Sequence, residues 1–308
     1  MTLLTEWPMR LDWLEWSNPV AVWWCFLIGV SALNLALLFG LFAASRKNPS
    51  RGRDVALVIE PLILLSAAYV FGCAFRSILP RADVQRICLF DTWLSSVLIG
   101  RSVATVAELC FALQWAIVLR ELGRVAHSDT AKNIARMIVP LIALAECFSW
   151  YAVVSTNFLG NVLENSLWTF TFALIAIALS RLVISFRGIV QLMIAATAAG
   201  IASYVVFMST VDVPIYFARW QAEVADGTQF LGFVSGLHDV AARWIVTHNI
   251  AQWHDEIAWM SLYFSVAVWT SLLLGGYGLV RHLVPRFRAG RPLVKPTRGP
   301  VAIPVRSS

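Results

Sequence analysis

TWLSSVLIGRSVATVAELCFALQWAIVLR, residues Thr92–Arg120, is apolar over a length that crosses a bilayer, yet it carries Arg101 and Glu108 in its interior. Seven helical residues at about 100° each complete two turns less about 20°, so both charges fall on one face, with Thr105 between them. A charge at this depth costs roughly 3 kcal/mol on insertion scales, so it is expected to be paired or turned toward a protein interior or wet cavity. The helix therefore has one polar wall, and the rest of the chain is read for what faces it.

The whole chain is of the same character. Of its 308 residues 59% are hydrophobic, and the mean hydropathy is +0.71. This is the composition of a polytopic membrane protein. The net charge of +6 is gathered in a few loops and the C-terminal tail, a pattern of membrane topology and not of nucleic-acid binding. Fourteen tryptophans include Trp7, Trp13, Trp16, Trp93, Trp115, Trp220, Trp244 and Trp253 near expected span ends, as in an aromatic belt at the headgroups. Five cysteines show no CxxC and no metal spacing and read as small core residues; Cys73 and Cys88 flank one short connection and could pair if it faces an oxidising compartment. The first residues, Trp-rich and charged, are not expected to be a cleaved signal peptide.

Hydropathy divides the chain into an interfacial N-terminal helix over 1–17, a seven-helix transmembrane domain over 18–282 and a basic Pro/Arg-rich tail over 283–308 expected to be disordered. The spans are placed at about 19–44, 55–79, 94–120, 134–156, 161–184, 188–210 and 256–280. Asp129 or Thr130 is expected to cap span four, a tight turn centred on Gly160 to join spans four and five, and Asp212 with Pro214 to stop span six. The connection 211–253 holds two amphipathic candidates, VPIYFARWQAEVA and GLHDVAARWIVTHN, which would lie on the membrane surface.

Lys and Arg are concentrated after spans one, three and five and in the tail, so the N-terminus is expected outside and the C-terminus in the cytoplasm. The exception is the connection after span two, where Arg81 and Arg86 add positive charge on the outer side. With this orientation Arg76, Arg101, Glu108, Glu146, Glu164, His254 and Asp255 all fall in the outer half or the middle of the bilayer. They are expected to form one outward-opening site.

Those residue types define the candidates. Glu108, Glu146, Glu164, His254 and Asp255 are the acid/base or catalytic set, with Glu146, Glu164, His254 and Asp255 as ligands if a divalent metal ion is bound. Arg76, Arg101, Asn157, Asn161, Trp150, Trp168 and Tyr263 are the substrate-binding set. The same residues also have structural readings: Arg101 with Glu108 as a neutralised pair, Asn157 and Asn161 as turn and cap residues, and His254–Asp255–Glu256 as an ordinary helix start.

Several classes are excluded by counting. Five histidines without helical pairing rule out a histidine-rich di-iron site and a multi-haem cytochrome. The three lysines, Lys47, Lys132 and Lys295, sit in inner loops or the tail, so no retinal Schiff base can form. No GxSxG elbow or Walker loop is present. The plan resembles receptors and ceramidase-like hydrolases in architecture alone, since the three histidines and aspartate of the latter are not supplied. The leading expectation is a metal- or carboxylate-dependent enzyme acting on a lipid or amphiphile, integral to the plasma (inner) membrane if the source is bacterial. The alternative is a non-catalytic binding, sensory or accessory subunit with a membrane-protein partner.

Overall fold

The computed structural model describes residues 13–46 and 53–277, with side chains from residue 60 onward in the second segment. Most of the expected N-terminal helix and the whole tail lie outside the described residues. Seven helices are long and apolar enough to cross a membrane, and the protein is on that ground an integral membrane protein.

The elements are α1 (Pro19–Arg46), α2 (Arg53–Ile78), β1 (Arg81–Ala82), β2 (Ile87–Cys88), α3 (Val97–Val125), α4 (Asp129–Ser155), α5 (Leu159–Val183) and α6 (Gly188–Phe207). They continue with α7 (Val213–Ala225), α8 (Phe233–Ala242), β3 (Ile245–Val246), α9 (Ile250–Leu262) and α10 (Val268–Gly275). Consecutive spans pack on one another from α1 to α6, and the last span, α9 with α10, packs against α1, α2 and α3. Spans six and seven are the neighbours that do not pack along their length. Large apolar side chains such as Phe39, Leu64, Phe71, Ile177 and Leu192 are exposed on the bundle's perimeter, as lipid contact requires.

Two breaks in the helical pattern behave differently from expectation. Span six does not stop at Asp212: a π-turn over Met208–Asp212 carries it into α7, and the combined helix runs over Gly188–Ala225. Pro214 falls just after that turn, in the first turn of α7. A second π-turn, Tyr263–Ala267, joins α9 to α10. In the other amphipathic candidate, helix ends at Ala242, and Ile245–Val246 become a strand instead of continuing its apolar face.

Caps and turns also shift. Ser128, not Asp129 or Thr130, caps α4, its hydroxyl accepting from Ala131 N at 3.3 Å. The α4–α5 turn is made by Thr156 in the left-handed conformation (φ 55°). Gly160 instead lies inside α5, where a Cβ would come within 2.6 Å of Ala152 and the Phe148 carbonyl oxygen on α4. It sets the close approach of the two helices. Trp115 and Trp253 are fully buried, not interfacial, and among the described residues all five cysteines are free thiols.

One end of the bundle is covered by a small cap. β1 pairs antiparallel with β2 (Arg81 opposite Cys88), and β2 pairs in parallel with β3 (Ile87 with Ile245). Arg86, with φ 62° and 1% exposed, fastens the cap by donating to the Asp83 and Val153 carbonyls at 2.5 Å and to Asp239 at 2.7 Å. Arg81, 3% exposed, bonds to Asp83 at 2.7 Å and to the Ser96 carbonyl, over a stretch of α3 where Gly100 leaves room for no Cβ. The two arginines that run against the charge-based orientation are thus both paired within the cap.

Replacing Gly160 by Ala should lower stability by about 1–3 kcal/mol through overpacking against α4. The check is a thermal melt of the detergent-purified protein. An unchanged melting temperature would mean that the two helices separate freely.

Candidate functional site

Three helices each deliver one carboxylate to the same point. Glu108 comes from the middle of α3, Glu146 from the C-terminal half of α4 and Glu164 from the second turn of α5; they are 5%, 3% and 6% exposed. Arg101, two turns before Glu108 on α3, reaches all of them. Its Nη2 lies 2.7 Å from Glu108 Oε2 and 2.6 Å from Glu146 Oε2, and its Nη1 lies 3.7 Å from Glu164 Oε1. A planar guanidinium with donors in a fixed fork suits this role, and a point-charge ammonium does not.

The surrounding groups set each carboxylate's orientation. Thr105, on the same face of α3, donates to Glu146 Oε2 at 2.6 Å and accepts from Trp150 Nε1 at 3.1 Å. Tyr263 donates its hydroxyl to Glu108 Oε1 at 2.8 Å. It sits at the first position of the π-turn in the last span, a local widening of the helix that re-aims the side chains following it. Asn161 Nδ2 donates to Glu164 Oε2 at 3.3 Å. Glu164 is the least constrained of the three acids.

The cap lies directly above. Arg76 stands 4.0 Å from Asp83 and over the rings of Tyr263 and Phe264 at 5.9 and 6.0 Å. Burial pushes the Asp83 carboxyl up, but Arg81, Arg76 and Arg101 together outweigh it and hold the group below its ordinary value of 3.8. Gln85 reaches down from the cap to Glu256 at 3.0 Å, which also lies 3.5 Å from Arg219.

Not every sequence candidate joins the cluster. Arg76, Arg101, Glu108, Glu164, Asn161, Trp168 and Tyr263 line a common cavity, while Glu146 and Trp150 stand behind it and hold Arg101 and Thr105. Asn157 does not: its Oδ1 accepts from Leu159 N at 2.9 Å, capping the turn into α5. His254 and Asp255 also stand apart. The His254 side chain is 83% exposed and bonds to Asp255, which in turn bonds to Arg219 at 2.7 Å. The helical phase of α9 explains this, since the buried acid there is the next residue, Glu256. Among the described residues, the group of acids near enough to share an ion is therefore Glu108, Glu146 and Glu164, with one oxygen of each within 4.8 Å of the others. Their hard oxygens suit a divalent cation, although the cation already seated among them is Arg101.

Asp83, Tyr69 and Tyr204 also line the cavity and were not among the sequence candidates. The signal for Tyr69 was present in the polar stripe of span two, Ser66, Tyr69, Cys73 and Arg76. Nothing in the sequence indicated that Asp83 folds back over the bundle.

The cavity is about 860 Å³. Its cap end is charged, at Arg76, Arg101, Glu108 and Glu164. Toward the far end it becomes apolar, following α3 along Phe111, Trp115, Val118 and Leu122. Those positions continue the Arg101–Glu108 stripe at intervals of three and four, so a single helix face lines both regions. From Arg101 to Leu122 it extends about 30 Å, close to the hydrocarbon thickness of a bilayer. Buried within the charged end, Arg76 Nε, Arg101 Nε, Glu146 Oε1 and Asn161 Oδ1 have no hydrogen-bond partner among the described residues. Comparisons with protein-family models, characterised proteins and solved structures found no match for this chain.

Arg101→Ala would leave three buried carboxylates facing one another and should destabilise the protein by roughly 3–5 kcal/mol. Combining it with Glu108→Gln and Glu146→Gln should recover part of the loss, because the repulsion then disappears. Thermal melts of the two proteins decide this; equal destabilisation would show that Arg101 acts through packing alone.

Asp83 supplies a separate, pH-dependent test. A folded value below the ordinary one means that its contribution is present above pH 3.8 and is lost as pH falls through the folded value. Amide exchange in residues 81–96 should accelerate on acidification below that point in the wild type. In Asp83→Asn it should already be fast at neutral pH and show no further step.

Proposed function

We propose that the protein is a carboxylate-dependent intramembrane enzyme acting on a lipid-like amphiphile. The observation that carries this reading is the continuity of the cavity: one space, about as long in all as the hydrocarbon layer is thick, holds a charged cluster at one end and apolar walls at the other. A head group fits the first and a hydrocarbon chain the second. A site for a small polar solute has no use for the channel, and a site for a purely apolar molecule has no use for the cluster.

The roles follow from access. Glu164 and Glu108 face the cavity from opposing helices and are the proton-handling pair, Glu164 as the less constrained base and Glu108 as its counterpart held by Tyr263. Arg76 and Arg101, whose Nε groups are buried without partners, hold polar or anionic oxygen on the head group and stabilise charge that develops there. Glu146 is a positioning residue: it and Thr105 fix Arg101. With the N-terminus outside, the cap end faces outward and the substrate comes from the outer leaflet. A divalent ion on the three glutamates would supply Lewis-acid polarisation of the same head group.

A non-catalytic carrier or sensor is the second reading. It is favoured by one fact, that each acid already accepts a hydrogen bond or ion pair within the protein.

Glu164→Gln should lower turnover by about 100-fold or more while leaving amphiphile binding intact. The measurement is untargeted lipid mass spectrometry of cells expressing wild type, Glu164→Gln or no protein, together with analysis of lipid retained by the purified proteins. A lipid species that changes with wild type and not with the variant is the expected result. Retained amphiphile with no change in cell lipids would decide for the carrier, and neither bound lipid nor any change would overturn the reading.

A further inference from the structure

We infer that the hydrocarbon chain of a bilayer lipid enters the channel sideways, through a portal between span six and span seven. This deepens the proposed function by giving its substrate class a route, and it rests on that reading for the identity of the ligand but not for the chemistry.

Four observations converge. Spans six and seven are the consecutive pair that do not pack along their length. The cavity lies between them, so that residues on the facing sides of both helices belong at once to its wall and to the bundle's perimeter: Met193 (43% exposed), Thr197 and Gly200 on α6, and Val266 (50%), Thr270 and Leu273 (71%) on the last span. Behind this opening the wall is buried and apolar, with Trp115 at 2%, Phe172 at 7% and Leu179 at 2% exposure. At the cap end the same two spans are tied together, since Arg219 of α7 bonds to Asp255 of α9 at 2.7 Å and lies 3.5 Å from Glu256.

The separation is therefore confined to the portion of both spans that lies in the hydrocarbon layer. A gap at that depth is bordered by lipid tails, and an opening lined by apolar and hydroxyl side chains excludes a hydrated solute while admitting a methylene chain. The depth of the charged cluster gives the chain a polarity: head toward the cap and tail toward Leu122 and Leu179. The two π-turns belong to the same design. Each lies in one of the two spans, between the ion-pair tie at the cap and the separated portion, and so lets a continuous helix change course there.

Gly200 makes the portal testable, because a Cβ placed there meets nothing within 4 Å. Gly200→Trp places an indole at the opening from a backbone position with free space at its Cβ, and Gly29→Trp, on the exposed face of α1 with equally open surroundings at its Cβ, controls for a tryptophan on the bundle's perimeter. The full-length protein is placed in nanodiscs containing phosphatidylcholine with a diazirine at the end of one acyl chain. It is then irradiated and its adducts are mapped by peptide mass spectrometry.

In the wild type and in Gly29→Trp, adducts are expected on Trp115, Leu122 or Leu179 as well as on perimeter residues such as Phe39 and Leu64. In Gly200→Trp the interior adducts should fall by about tenfold, with perimeter labelling and the melting temperature unchanged. Adducts on the perimeter alone in the wild type, or interior labelling equal in Gly200→Trp, would overturn the portal. Glu164→Gln separates this inference from the enzyme reading. It should label the interior like wild type while leaving cell lipids unchanged; interior labelling absent from both proteins counts against the portal, and cell lipids unchanged by the wild type count against the catalysis.

Discussion

The structure depends on one guanidinium. Arg101 satisfies carboxylates from its own helix and from α4 and α5, and these four groups are nearly inaccessible to water. In a low-dielectric interior none of them is tolerable alone, so the three helices must assemble in the register that brings all four together. Interhelical polar contacts in membranes are individually modest. Their influence here lies in what they forbid: sliding α4 or α5 along α3 by one turn would strand a charge in hydrocarbon.

The groups are not matched one to one. One guanidinium faces three carboxylates, and the nearest additional cation, Arg76, is shared with Asp83 in the cap. A purely structural ion pair has no need of this surplus, and none for a cavity at its edge. The surplus of acidic groups and the unpartnered buried donors beside it are what a binding or catalytic centre retains, at some cost in stability. The cap has the converse character. Its arginines Arg81 and Arg86 are fully engaged by carboxylates and carbonyls, which makes it a fastened cover over the charged end.

The bundle is asymmetric in how well it closes. Spans one to six pack in sequence and the last span returns to α1, α2 and α3, so the incomplete seam falls between the sixth and the seventh. A soluble bundle would not leave such a seam, because water on apolar walls is costly. In a bilayer the seam faces lipid tails, which wet apolar side chains as readily as neighbouring helices do. The α3 stripe that begins with Arg101 and ends with Leu122 is the inner wall opposite this seam. Charge and channel are thus arranged on a single helix.

Much of this was legible in the residues. The seven apolar stretches, the shared face of Arg101 and Glu108, and the positions of Glu146 and Glu164 in their spans follow from hydropathy and a 3.6-residue period, which are local properties. Local rules failed where the chain is governed by distant partners. The helical phase placing Glu256 inward and His254 outward depends on where α9 meets α7 and the cap. Asn157 took its local reading, as the cap of a turn, while span six passed Asp212 through a π-turn. The pairing of Arg86 with Asp239 required α8 and the strand after it to return from more than 150 residues away. The sequence by itself determined a membrane-embedded helical protein with acids and arginines at one depth, since burial cost and periodicity act on each helix separately. Only the tertiary structure decided which acids meet, that Arg101 stands among them, and that the space beside them opens between two spans, because these depend on how the helices are rotated and packed against one another.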